Sequence, residues 1–357
     1  MKTFRLFPFL YCSFLAAIFF INPQVHAGGK DCDRACLEGM AEHYLDAMIN
    51  NTPEQLPFAK NIRFTENGQR LEIGDGLWNT MKGKGKYRLW VTDPEAGQVG
   101  VFATVYEDHQ DPAKSNASLI ALRLKVRKGK IKEAEQFVVR NSVAFGDVSG
   151  ERRNAAERVE AMGHPDPIYL QAIPEADRMS RKDLIITANK YFSGLQLNDG
   201  KGDYPFADDC NRIENGMQAT NVPTPTGETR PDPATSTSYS SQWSCMEQFK
   251  SGLIHFVNRI RDRRFVAVDR ERGIVLAFGF FDHSGGATRT FQTPDGRTIT
   301  AGPVQPWTWE IAELFKIDKG KIRRIEAILD RCPYGMNSGW SSWKNGMSDE
   351  IQDVTMH

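Results

Sequence analysis

At 357 residues the chain exceeds the usual length of one domain, so two domains are expected. Basic and acidic side chains balance at 45 each, and 40% of residues are apolar, as in an ordinary globular protein. The even balance excludes the one-sided charge of a nucleic-acid binder, and no block of like charge forms a membrane-surface arm.

The first element along the chain is an address. Lys2 and Arg5 precede an apolar run from Leu6 to Ile21, and Val25-His26-Ala27 offers small residues where a signal peptidase reads. The run contains Pro8 and is short for a membrane span, so residues 1–27 read as a cleaved signal peptide. The mature protein is then secreted or periplasmic, with no membrane partner. Loss of Lys2 and Arg5 leaves 43 basic against 45 acidic residues.

Export permits disulfides. Cys12 leaves with the signal, and an odd set remains: Cys32, Cys36, Cys210, Cys245 and Cys332. Cys32 and Cys36 share one face at the start of an expected helix, where a bridge would distort it. Cys210 and Cys245 flank the longest polar insertion, and their bridge would contribute roughly 3–4 kcal/mol by chain entropy. Asn50-Asn51-Thr52 and Asn116-Ala117-Ser118 are glycosylation sequons in a eukaryotic host.

A helical pattern carrying Tyr44-Leu45 comes next, then Pro57-Phe58-Ala59 and, six residues on, Glu66-Asn67-Gly68. Two runs of strand character, Tyr87–Thr92 and Val99–Tyr106, flank Asp93-Pro94-Glu95-Ala96-Gly97 and read as a β-hairpin. Lys128-Gly129-Lys130-Ile131 turns the chain into another strand, with Glu135 after it. Residues 141–179 read as a structured linker, with a helix near Ala155–Met162 and then Pro165, Pro167 and Pro174.

The same order then recurs. Tyr191-Phe192 precedes Pro205-Phe206-Ala207, six residues, and Glu214-Asn215-Gly216. Asp269-Arg270-Glu271-Arg272-Gly273 lies between Phe265–Val268 and Ile274–Phe281, and Lys319-Gly320-Lys321-Ile322 is followed by Glu326. Four blocks in one order at similar spacing make a tandem duplication. The second copy is longer by Val222–Gln242 and Thr293–Gln305, both of loop composition. The tail, 336–357, carries Trp340 and Trp343 and is expected to pack over a core or pocket. Helices followed by about four long antiparallel strands define α+β, with domains at 31–140 and 180–335.

These residues resemble the nuclear transport factor 2-like, or SnoaL-like, superfamily. The second copy, with Ala207-Asp208-Asp209-Cys210-Asn211-Arg212-Ile213-Glu214-Asn215-Gly216 and Pro333-Tyr334-Gly335-Met336, looks like a branch found in secreted fungal and bacterial proteins. The resemblance implies two tandem cones, each a bent antiparallel sheet wrapped around N-terminal helices with a pocket at one end. Its members include ketosteroid isomerase, scytalone dehydratase, limonene epoxide hydrolase and polyketide cyclases. A fold shared so widely does not fix a function.

The sequence holds no His-Glu-x-x-His, Cys-x-x-Cys or Gly-x-Ser-x-Gly, and seven scattered histidines form no metal constellation. Neither metal nor cofactor is expected. What remains is acid–base chemistry by a carboxylate or histidine in a pocket. The strand Ile274–His283 ends in Asp282-His283; Asp282 shares a face with Leu276, Phe278 and Phe280, and His283 with Val275, Ala277 and Phe281. Both faces are apolar, so periodicity leaves open which lines a pocket, and Asp282 also suits a turn. Tyr334 is placed to polarise a carbonyl. Glu326 is a further acid–base candidate, although its counterpart Glu135 in the first copy favours a structural role. Trp307, Trp309 and Phe280 would supply flat pocket walls. Asp209 is the remaining ligand-binding candidate, or else caps a turn.

Two functions follow. One is a cofactor-free lyase, isomerase or dehydratase acting on a small hydrophobic or aromatic molecule in the second cone. The other is a non-catalytic exported protein that binds a ligand or pairs with another chain, a second copy of itself included.

Overall fold

The computed structural model describes residues 32–140 and 154–352; the expected signal peptide, the start of the expected linker and residues 353–357 lie outside them. Turn chemistry sets the strand register. Asn67-Gly68, Lys128-Gly129, Asn215-Gly216 and Lys319-Gly320 are all pairs with left-handed φ, between 47° and 75°. Two consecutive residues at positive φ make the tight turns whose twist matches that of flanking strands. They fall at the same places in each half.

The first half runs α1 (Arg34–Asn50), β1 (Phe58–Glu66), β2 (Gln69–Arg70), α2 (Leu77–Thr80), β3 (Met81–Asp93), β4 (Gln98–Glu107), β5 (Asn116–Arg127) and β6 (Lys130–Arg140). Its sheet order is β2-β1-β6-β5-β4-β3. A helix, α3 (Ala155–Met162), leads to α4 (Arg181–Leu195), β7 (Phe206–Glu214), β8 (Met217–Gln218), α5 (Cys245–Lys250), β9 (Arg259–Asp269) and β10 (Ile274–His283). Then come β11 (Thr290–Gln292), β12 (Thr298–Thr300), β13 (Trp307–Asp318), β14 (Lys321–Cys332), α6 (Trp343–Gly346) and β15 (Ile351–Gln352). The second sheet is ordered β15-β9-β10-β13-β14-β7-β8, the first order plus one edge strand.

The fold is tandem α+β, as the repeat implied, with one difference: β1–β6 and β7–β14 are parallel pairs in otherwise mainly antiparallel sheets. No hairpin joins either pair, so no turn forces them antiparallel.

Each sheet is apolar on both faces and needs two covers. Val99, Val101, Ala103 and Val105 of β4 pack with Leu37, Tyr44 and Met48 of α1. In the second half Val275, Ala277 and Phe281 of β10 pack with Leu184, Ala188 and Phe192 of α4. The opposite faces meet each other: Tyr87, Leu89, Val91 and Phe102 share one core with Leu276, Phe278, Leu314 and Ile328. The layers therefore run helix, sheet, sheet, helix. Each large apolar side chain buried at that seam contributes about 1.5–3 kcal/mol. Gly100 lets the sheets close, since a Cβ there would lie 2.4 Å from the Leu276 side chain.

A reciprocal pair of ion locks fixes the seam. Asp93, in the first hairpin, accepts from the Val268 backbone N–H at 2.9 Å and binds Arg181, the first residue of α4. Asp269, its counterpart, accepts both Nη groups of Arg34, the first residue of α1, at 2.8 and 2.9 Å, and faces the Thr92 N–H. Each aspartate also caps its own turn, taking the N–H of Ala96 or Arg272. Burial raises the Asp93 pKa, against the opposing pull of Arg181.

The tail crosses from the second domain to the first. Trp340 lies over Arg63 and Arg123 at 4.3 and 4.6 Å and donates to Thr65 at 2.8 Å. Ser338 and Ser341 bind Asp262 on β9. Cys210 is bridged to Cys245, and Cys32 to Cys36, leaving Cys332 free. The expected distortion at Cys32–Cys36 does not arise, because Cys32 precedes the N-cap Asp33 and lies outside the helix. Among the described residues no helix is long and apolar enough to cross a membrane.

Removing one partner of a buried ion pair strands the other. Asp93→Ala and Asp269→Ala should therefore each cost about 3 kcal/mol in denaturant titration. Arg127→Ala, at an exposed site, should stay within about 0.5 kcal/mol of the parent.

Candidate functional site

β13 reads Trp-Thr-Trp-Glu-Ile-Ala-Glu-Leu-Phe from Trp307 to Phe315. Alternation points Trp309, Ile311, Glu313 and Phe315 toward α4, while Ala312 and Leu314 face the other domain. Register sets Glu313 between Ala277 of β10 and Ala327 of β14, and the row continues to Glu214 of β7. Methyl side chains on both sides of Glu313 leave space. A cavity of about 30 Å³ opens there, walled among others by Tyr191, Arg212, Glu214, Tyr239, Trp309 and Glu313. It has room for a water molecule or two.

Glu313 is 1% exposed, and its Oε2 has no hydrogen-bond partner. Burial raises its pKa to about 8, helped by the Glu214 charge and opposed by Arg212 and a Tyr191 hydrogen bond. Arg212 is 4% exposed. Its Nε lies 3.0 Å from Glu214 Oε1, close enough for an ion pair but out of line for a hydrogen bond. The chamber thus holds a carboxyl that burial favours in its protonated form and a guanidinium, each with one polar atom unmatched by a hydrogen bond. Such a group can donate to a carbonyl oxygen or, once ionised, take a proton.

The first cone is different at the same register. Leu122, opposite Gln136, stands in the place of Glu313, and Phe64 in that of Arg212. Tyr44, Phe58 and Trp78 fill its interior edge to face, with Trp78 Nε1 donating to the Tyr44 hydroxyl at 3.1 Å. The first cone's acid in this row, Glu66, is buried but satisfied: it accepts from the Gln136 side chain and the Leu77 N–H at 2.7 Å and pairs with Arg140.

The residues singled out from sequence fall in several places. Of them, Trp309 lines the chamber. His283 lies on the same face, its ring 3.9 Å from that of Trp307 and edge-on to Trp309. Neither ring nitrogen has a well-formed hydrogen bond, although backbone groups of Phe281 and Trp307 approach, and burial lowers its pKa to about 4. Asp282 points to the other face, fully buried between Arg259 at 2.7 Å, Arg261 at 2.9 Å and Thr308 at 2.6 Å. Phe280 shares that face beneath Arg261. Glu326 accepts from Tyr87 across the domain seam, and burial raises its pKa to about 7. Its counterpart Glu135 binds Arg264 across the same seam at 2.7 Å. Tyr334 is half exposed in the tail, 3.1 Å from Ser284. Asp209 pairs with Arg323 at the surface. Asp282, Phe280, Glu326, Tyr334 and Asp209 are thus not brought to the chamber.

Glu313, Arg212 and Tyr191 are not among the site residues expected from sequence, where Arg212 and Tyr191 figure only in the repeat. Two signals point to them. Glu313 is the lone acid in an apolar period-two row, and Arg212 breaks the match with Phe64 inside the repeated block.

The chain matches, at residues 30–138 and 177–329, the family model described as "Domain of unknown function (DUF8021)". No curated protein matches. Among solved structures it is similar to AclR of Streptomyces galilaeus, whose assignment as a hydroxylase is itself provisional, at 12% identity and a TM-score of 0.24, over 40% of this chain and 92% of that one. A de novo designed protein with a curved β-sheet is similar at 16% identity and a TM-score of 0.23, over 43% and 88%. Neither likeness bears on activity.

The raised carboxyl pKa values set a pH dependence. Glu310 and Glu313, both raised to about 8 by burial, keep protons in the folded state that an unfolded chain has lost. Stability should therefore fall as pH rises toward 8, by up to about 1.4 kcal/mol per pH unit per group. His283 works the other way, but only below its unfolded value of 6.5. Denaturant titration of Glu313→Gln from pH 6.5 to 8 should show a slope shallower by one such group, a gain of about 2 kcal/mol on the parent at pH 8.

Proposed function

We propose that this chain, which belongs to the family described as Domain of unknown function (DUF8021), is an exported, cofactor-free acid–base enzyme of the nuclear transport factor 2-like kind. The first unit, residues 31–140, serves as scaffold, and the second, 180–335, carries the chemistry. The observation that carries the reading is Glu313: a fully buried carboxyl facing a cavity, where the first copy holds leucine. The two disulfides fit an oxidising compartment.

In this reading the proton carrier is Glu313 in place of Asp282 or His283. Ionised Glu313 takes a proton from the carbon beside a substrate carbonyl. The electron pair moves to the carbonyl oxygen, where the Arg212 guanidinium stabilises the charge. In a β,γ-unsaturated substrate, return of the proton to the γ-carbon isomerises it; in a β-hydroxy substrate, transfer of the proton from Glu313 to the hydroxyl expels it as water as the carbonyl re-forms. The class is isomerase or dehydratase, and the substrate is a small hydrophobic or aromatic carbonyl compound.

A second reading, ligand binding without turnover, draws on the size of the chamber, about 30 Å³. Deuterium exchange separates the two. Incubated in D₂O with a panel of cyclic enones and aryl ketones, the protein should drive deuterium into at least one, seen by mass spectrometry, with the rate half-maximal near pH 8 and level above it. Glu313→Gln should lower that rate at least about 100-fold. Exchange at the parent rate in the variant would rule Glu313 out, and tight binding of a panel member without exchange would favour the second reading.

A further inference from the structure

The chamber around Glu313 shares its outer wall with a wider groove. Glu214, Tyr239, Trp309 and Leu329 line both the chamber and this external space of about 350 Å³. Three of the four stand on strands: Glu214 on β7, Trp309 on β13 and Leu329 on β14. Tyr239 alone comes from the Val222–Gln242 insertion, which has neither helix nor strand.

That insertion is held at its foot. Cys210–Cys245 ties its flanks, Val222 N–H donates to the Ser241 carbonyl at 3.0 Å, and the Gln248 side chain donates to the Ser240 carbonyl at 2.8 Å. Arg297, from the second insertion, donates to the Ser236 and Pro233 carbonyls. The Tyr239 ring rests against Phe256, centroids 6.2 Å apart. Tyr239 is therefore the one of these four shared walls whose backbone is not paired in a sheet.

The two spaces differ in chemistry. Inside, Arg212 Nε and Glu313 Oε2 are buried without hydrogen-bond partners. Each orphaned group costs about 1–3 kcal/mol until a ligand or water meets it. Outside, Trp309 and Tyr239 offer flat apolar surface, and Ser238 and Ser241 offer hydroxyls. Deepening the proposed function and resting on it, we propose that chamber and groove are two ends of one site. Tyr239 gates it, and the ligand is a flat ring compound with a carbonyl at Arg212 and Glu313 and a hydroxyl at Ser238 and Ser241. The groove, about 350 Å³, is already of small-molecule size, about 300–1,000 Å³, and opening the gate adds the polar chamber to it.

The test uses the full chain and two probes, 2-acetylnaphthalene and 6-hydroxy-2-acetylnaphthalene, with calorimetry for affinity and stopped flow for entry. The hydroxylated probe should bind about tenfold more tightly, the worth of one net hydrogen bond. Ser238→Ala/Ser241→Ala should bring the two probes within twofold. Tyr239→Ala should speed entry of both at least fivefold, and Tyr239→Phe should leave it unchanged. The serine variant, on the outer wall, decides the ligand class even if Tyr239→Ala does not fold. Binding of neither probe, entry unaltered in folded Tyr239→Ala, or a preference surviving loss of both serines would each overturn the proposal. The two readings fail separately. A gate that responds while no ketone exchanges deuterium removes the acid–base step alone. Exchange that needs Glu313 but ignores Tyr239 removes the gate alone.

Discussion

Two aspartates hold the halves of this chain together. Asp93 and Asp269 each close a hairpin turn, accept a backbone N–H from the other sheet and bind the first arginine of the other domain's leading helix. The arrangement is isologous within one chain: what the first half does to the second, the second does to the first. It commits the outer face of both sheets to the seam. The helices must then cover the inner faces, and any pocket must lie between helix and sheet.

That constraint explains why the chain buries so much charge at the seam. Glu135, Glu310, Glu326 and Arg264 all lie there, and burial raises the pKa of Glu310 and Glu326. Arg264 is paired with Glu135, and Glu326 accepts from Tyr87. Such groups give the contact a fixed register, because any slip would leave a buried charge without its partner. Glu313 differs from them. An Oε2 without a partner it shares with Glu326, but it lies on the inner face, where a space opens beside it.

Much of the architecture was legible in the sequence because it rests on local chemistry. Asn-Gly and Lys-Gly pairs mark turns at positive φ, and the Ala155–Met162 helix declares itself by its Asn154 cap with Glu157 three residues on. The Cys210–Cys245 bridge followed from the insertion it closes. The site was less legible. Ile274–His283 is apolar on both faces, since one covers its own helix and the other the second sheet, and alternation alone could not say which. Asp282 and Phe280 fall toward the seam, and His283 toward the cone. The parallel β1–β6 and β7–β14 pairs were also hidden, as no turn records a contact between strands so far apart.

The unequal cones are the core of the functional account. Both copies keep their seam faces, and their interiors diverge. Phe64 and Leu122 fill the first interior where Arg212 and Glu313 open the second. The most direct measurement is the carboxyl titration of Glu313, read by carbon NMR of protein labelled at glutamate Cδ, with Glu313→Gln for assignment. The account predicts that the resonance lost in the variant titrates near pH 8. A lost resonance that titrates in the ordinary carboxylate range, about 4 to 5, would mean that Glu313 is solvated and would contradict it.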